Sequence, residues 1–112
     1  TEAAFTEVGV TKTKNGNEVY KYSNMPGVSG GIGLLNNPNV KIDVVSGGVI
    51  YKMVFPWKYL IGKDTVSAGD MLRFNISANE SDGAGRRGWI EVTEGICGSK
   101  NAQLFGTITL KK

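Results

Sequence analysis

Apolar and polar residues alternate singly over much of this chain, and a period of two predicts strands rather than helices. Residues 3–10, "AAFTEVGV", read as a first strand. Asn15-Gly16 is a turn dipeptide and "EVYKYS" the return strand of a hairpin. Residues 25–38 form a loop by composition, with four glycines, two prolines and two asparagines. "NVKIDVV" then alternates, with Val40, Ile42 and Val44 on one face, and Ser46-Gly47-Gly48 turns it into "VIYKMVFPW", a second hairpin. Pro56 ends that strand because it has no amide hydrogen for a ladder. "PWKYLIG" predicts a short helical turn that packs Trp57, Leu60 and Ile61 inward. Three strands follow, the last over Gly106 to Lys111, with Ile108 and Leu110 opposite Thr107, Thr109 and Lys111. Six to eight strands and no amphipathic helix of ordinary length predict an all-β chain. The expected architecture is one domain over residues 1–112, an antiparallel β-sandwich of jelly-roll type.

Candidate chemistry concentrates in the last third. Leu72, Phe74, Ile76 and Ala78 share one side of a strand, and Arg73, Asn75, Ser77 and Asn79 share the other. After an acidic, glycine-rich loop, Ile90 and Val92 oppose Arg87, Trp89, Glu91 and Thr93. One register puts the aliphatics over a core and leaves amides, a guanidinium, a carboxylate and an indole outward. Planar hydrogen-bonding groups beside an indole suit the ring of a polyol. Arg73, Ser77, Asn79, Arg87, Trp89 and Glu91 are therefore the candidate sugar-binding residues. For each there is a plainer role. Trp89 can lie across the sheet beneath a loop, Arg86 and Arg87 can pair with Glu80, Asp82 or Glu91, and Asn79 can cap its own turn. Tyr20 and Tyr22 share a face and offer either a second stacking strip or simple cover for a sheet.

Composition removes several alternatives. The 112 residues include no histidine and one cysteine. Histidine-dependent nucleophile systems, thiolate zinc cages and disulfide frameworks are thus unavailable. Ten acidic residues are scattered, and no spacing singles out a hydrolytic pair, so no enzyme activity is expected. The net charge is +3, but its lysines stand mostly alone, unlike the dense basic stripe of a nucleic-acid binder. No apolar run approaches the roughly 20 residues of a membrane-spanning helix. No leader is visible, so a secreted form is expected to have lost its own. "NESDGAG" has the oxygen-rich, glycine-kinked composition of a calcium loop, with Glu80 and Asp82 its charged members, although a hydrated turn accounts for it as well. Asn75-Ile76-Ser77 and Asn79-Glu80-Ser81 match the glycosylation sequon, a pattern irrelevant in a bacterial source.

Four pieces in order carry a resemblance. "YKMVFPWKYL" contains a strand opened by an aromatic residue and closed by a Pro-Trp step. "AGDMLRFNISANESDGAGRRGWIEV" contains a Gly-Asp entry, a Phe-x-Ile-x-x-Asn-Glu strand, an Asp-Gly-x-Gly-Arg loop and a return strand. "LFGTITL" closes the series. From about Ile50 to Leu110 the chain resembles the C-terminal part of family 9 carbohydrate-binding modules of secreted polysaccharide-degrading enzymes. The resemblance implies a secreted or cell-surface β-sandwich that holds cellulose, xylan or another glucan without cleaving it, often with structural calcium. The family's paired tryptophan clamp is not matched: "GICGSKNAQLFG" holds no tryptophan before the closing strand, which implies a flatter glycan surface. The family module also carries further strands upstream. Their absence from the match predicts open sheet edges, filled by a separate partner segment, by another copy of the chain, or not at all. The alternative function is a structural or assembly domain completed by strand pairing with another chain.

Overall fold

The computed structural model describes residues 5–28, 30–35, 39–81, 86–98 and 100–112, with the side chains of Glu80, Ser81, Arg86 and Arg87 left out of that description. Its regular structure is almost entirely antiparallel strand, as the alternation predicts. It divides into two compact units, Phe5–Thr65 and Val66–Lys112.

In the first unit β1 (Glu7–Thr13) and β2 (Gly16–Ser23) form the expected hairpin. The tight turn is at Lys14–Asn15, and Gly16 opens the return strand at φ 114°, a conformation that costs a side-chain-bearing residue far more than glycine. Thr13 holds the turn by donating its hydroxyl to the Gly16 carbonyl and accepting from the Asn15 amide. The expected start at Ala3 falls outside the described residues. A two-residue strand, β3 (Gly33–Leu34), lies within the stretch predicted as loop and pairs with β2 through Tyr20 and Lys21. The second hairpin joins β4 (Val40–Val45) to β5 (Gly48–Met53) across Ser46–Gly47. Val40, Ile42 and Val44 share a face as expected, opposite Met53, Tyr51 and Val49, yet only Ile42 is buried.

The helical turn after Pro56 is α1 (Trp57–Ile61). Gly62 ends it in the left-handed conformation, its amide bonded to the Lys58 carbonyl. A Cβ there would stand 2.6 Å from the Gly27 carbonyl oxygen, so only glycine fits. Trp57, Leu60 and Ile61, expected to pack inward, are each half-buried, and no residue of the turn is fully buried. Tyr59 is half-buried like them, with its hydroxyl oxygen out of water. The unit's interior is built around it, with Val19 at 0% and Lys21 at 1% exposure on one face of β2. Lys21 donates Nζ to the Tyr59 carbonyl at 2.6 Å and sits 3.9 Å from the centre of its ring. Burial holds the Lys21 amine below its ordinary value of 10.5 and the Tyr59 hydroxyl above 10.0.

The second unit consists of two ribbons. β6 (Met71–Phe74) pairs with β9 (Gly106–Thr109), and β7 (Ser77–Ser81) pairs with β8 (Arg86–Glu91). The single strand predicted from Leu72 to Asn79 is thus two strands in different ribbons, broken at Asn75–Ile76. The Asn75 side chain causes the break by imitating backbone. Its Oδ1 accepts from the amides of Ile76 at 2.9 Å and Thr93 at 3.0 Å, while Nδ2 donates to the carbonyls of Thr93 at 2.7 Å and Glu94 at 3.3 Å. The core predicted beneath Leu72, Phe74, Ile76 and Ala78 is not formed: Leu72 is half-buried and the other three are exposed.

Candidate functional site

The β7–β8 ribbon brings together four of the six residues chosen from sequence. Directly opposite residues of an antiparallel pair share a face. The pairs Asn79–Trp89 and Ser77–Glu91 therefore line up on one side, and Ala78–Ile90 on the other. The indole of Trp89 is 45% exposed. Its Nε1 donates to Glu91 Oε1 at 3.2 Å, one step along the same face. Glu91 Oε2 accepts from the amides of Ile96 and Cys97, each at 3.3 Å. One carboxylate thus joins the ring to the segment that follows β8. The Cys97 thiol lies 3.9 Å from Asn79 Oδ1, closing the same patch from the side. Ala78, Asn79, Gly88, Trp89 and Ile90 line an open depression of about 410 Å³ beside the ring.

Arg73 is not part of this patch. It stands on β6 in the other ribbon, and its guanidinium donates to the Gln103 carbonyl at 2.8 Å. Arg87 faces its place in β8 by backbone only; its side chain lies outside the described residues, as does that of Glu80. Asp82 and the glycine-rich turn of the calcium candidate also lie outside them. Among the described residues no three acidic or cysteine side chains gather as a metal cage. The sequon at Asn75 is engaged, because its amide nitrogen carries the two hydrogen bonds that shape the strand break.

Sequence reasoning missed two contributors. The amides of Ile96 and Cys97 sit in a polar stretch with no periodicity to mark them. The path that brings them to Glu91 depends on Gly95, at φ 114°, where a Cβ would stand 2.4 Å from the Asn101 carbonyl oxygen. Asn101 returns the contact by donating its amide to the Gly95 carbonyl at 2.9 Å. A glycine before an apolar dipeptide, "EGIC", is the one signal that marks this turn.

The reverse of the ribbon is aliphatic and uncovered. Ile90 is 79% and Val92 71% exposed, with Ile76 beside them through the bond from the Val92 amide to the Ile76 carbonyl. In the first unit Tyr20 and Tyr22 do share an outer face, their rings 4.8 Å apart, with Tyr22 laid over Gly9, where a Cβ would come within 2.7 Å of the ring. Among the described residues no helix is long and apolar enough to cross a membrane. Comparisons of the chain with family models, with curated proteins and with solved structures each find no match.

Proposed function

We propose that the chain is a secreted, non-catalytic module that binds polysaccharide, of the kind its resemblance to family 9 carbohydrate-binding modules implies. The observation that carries the reading is the half-exposed indole of Trp89 on the polar face of a paired strand, its N–H already satisfied by Glu91. An indole so placed gives an apolar plate with no polar demand of its own. The C–H face of a pyranose ring stacks on such a plate, and to Asn79 and Ser77, which share the face of Trp89, this reading assigns the hydroxyls. Arg87 joins this set on its spacing in the sequence. Cellulose, xylan and other glucans with equatorial hydroxyls present the flat faces that this contact requires. A shallow surface of this kind supports affinities of about micromolar to millimolar, roughly 4–8 kcal/mol.

The same reading makes the uncovered aliphatic face of β7–β8 an inner layer of a β-sandwich. A two-stranded ribbon is at best marginally stable alone, and packed sheets bury such faces about 10 Å apart. That face also favours a second reading, an assembly domain whose aliphatic side and open strand edges are covered by another chain. One experiment separates the two: affinity electrophoresis of wild type and Trp89→Ala in gels containing soluble β-glucan or xylan, with sedimentation of the same samples. Retardation that Trp89→Ala loses supports glycan binding. Equal mobility of both proteins in every gel, with a stable oligomer in the centrifuge, supports assembly.

A further inference from the structure

We propose that Glu91 is a positioning residue that fixes the plane of the Trp89 ring and does not itself read the glycan; this rests on the sugar-binding reading. Both oxygens of its carboxylate accept hydrogen bonds from within the chain. Oε1 takes the indole N–H at 3.2 Å, and Oε2 takes the Ile96 and Cys97 amides at 3.3 Å each. Trp89 and Glu91 are two residues apart on one strand face, so the bond runs along the ribbon. It restrains rotation of the indole about its own side-chain torsions. The two loop amides hold the carboxylate in turn, so the ring's orientation is set by the backbone between Glu91 and Cys97.

Geometry at the far end of this chain of contacts makes it rigid. Gly95 is buried and its carbonyl accepts the Asn101 amide at 2.9 Å, a Cβ on it would run into the Asn101 carbonyl and the Phe105 ring, and the Asn101 side chain accepts the Gln103 amide at 3.0 Å. The amides that reach Glu91 therefore belong to a turn held from both sides. Stacking on a sugar is effective when the aromatic plate is already oriented, because ordering a free side chain on binding costs affinity. Three bonds within the chain fill most of the roughly four acceptor sites of the carboxylate, and the bond to the indole and those to the two amides are the ones that orient the ring. The role assigned here predicts that it keeps them.

The two roles leave different marks. The chain has two tryptophans, so an amide-correlation NMR spectrum shows two indole N–H signals, and Trp89→Ala identifies the one from position 89. Wild type, Glu91→Gln and Glu91→Ala are compared in this spectrum and in affinity electrophoresis with β-glucan and xylan. Glutamine keeps one acceptor and is nearly isosteric, so the variant holds its fold while losing part of the clamp. The expected result is a shifted, faster-exchanging Trp89 indole signal in both variants, with displaced Ile96 and Cys97 amides and an unmoved Trp57 signal. Binding is expected to weaken by about threefold for glutamine and about tenfold for alanine. Wild-type indole and loop-amide signals that stay in place when glycan is added complete the expected pattern.

Unchanged indole and loop-amide signals in Glu91→Ala would overturn the clamp whatever the sugar result. Altered signals with wild-type binding would show that the clamp exists but does not serve stacking, which also overturns the proposal. Failure of wild type to bind any glycan removes the sugar reading and this role with it, and is recognised by the clamp signals persisting in a protein without ligand.

Discussion

Replacing Lys21 with methionine and with alanine separates what a buried cation contributes from what its carbon stem contributes. The ammonium is out of water on the inner face of β2, with one hydrogen bond of 2.6 Å to the Tyr59 carbonyl and the Tyr59 ring 3.9 Å away. Either substitution gives up a charge-assisted bond worth about 1.5–3 kcal/mol and a cation–π contact of about 1–2 kcal/mol. Either also removes a desolvation penalty of several kcal/mol, which offsets most of that loss. Methionine keeps the stem packed against Tyr59, so Lys21→Met is expected to fall within about 1 kcal/mol of wild type. Alanine leaves a cavity as well, which costs about 2–5 kcal/mol in comparable sites. Lys21→Ala should therefore lie roughly 2–4 kcal/mol below wild type. For a chain of this size 1 kcal/mol corresponds to about 4–8 °C in the melting midpoint, so alanine lowers it by about 10 °C or more.

The pH response gives the sharper discrimination. Below pH 10.5 the unfolded chain keeps a proton on this amine that the folded chain releases more readily, because burial depresses the folded value. The unfolded state then binds more protons, and stability rises with pH through the window between the depressed value and 10.5. Each unit of depression contributes about 1.4 kcal/mol to that rise. Tyr59 acts in the opposite sense above pH 10.0, where the unfolded phenol ionises first. Circular-dichroism melts followed upward toward pH 10 thus report Lys21 before the unfolded Tyr59 phenol ionises. Wild type should gain stability relative to Lys21→Met as pH climbs toward 10. A wild-type profile no steeper than that of Lys21→Met would refute the desolvated amine, and an alanine variant as stable as methionine would refute its packing role.

Two further outcomes follow from the second unit. Asn75→Ala removes four hydrogen bonds, three to Thr93 and Glu94 and one from the Ile76 amide, and should destabilise the protein by about 2–4 kcal/mol in denaturant titrations; Asn75→Asp, which keeps the two bonds to Oδ1, should recover part of it. Gly95→Ala places a Cβ 2.4 Å from the Asn101 carbonyl oxygen at a positive φ. It should cost about 2–3 kcal/mol and displace the Ile96 and Cys97 amide signals, whereas a spectrum identical to wild type would remove Gly95 from the support of Glu91.

The all-β class, the two early hairpins, the helical turn at Trp57 and the grouping of Ser77, Asn79, Trp89 and Glu91 on one face were all legible in the sequence. Each depends on local periodicity, and a period of two assigns faces wherever a strand is continuous. Arg73 shows where that reasoning stops. Parity put it beside Ser77, but the Asn75 side chain replaced backbone partners and sent β6 and β7 to different ribbons. No pattern of apolar residues encodes such a substitution, because it depends on Thr93 arriving from eighteen residues away. Lys21 marks the same boundary. It shares the inner face of β2 with Val19, a place no sequence pattern marks as fit for an amine, and Tyr59, brought there by α1, makes it tolerable. Periodicity along the chain decides which way a side chain points; whether anything stands there to cover, bond or charge-match it is decided by residues distant in sequence. That is why Trp89 and Glu91 could be set on one face from sequence, whereas the bond between them and the loop amides behind it became visible only in three dimensions.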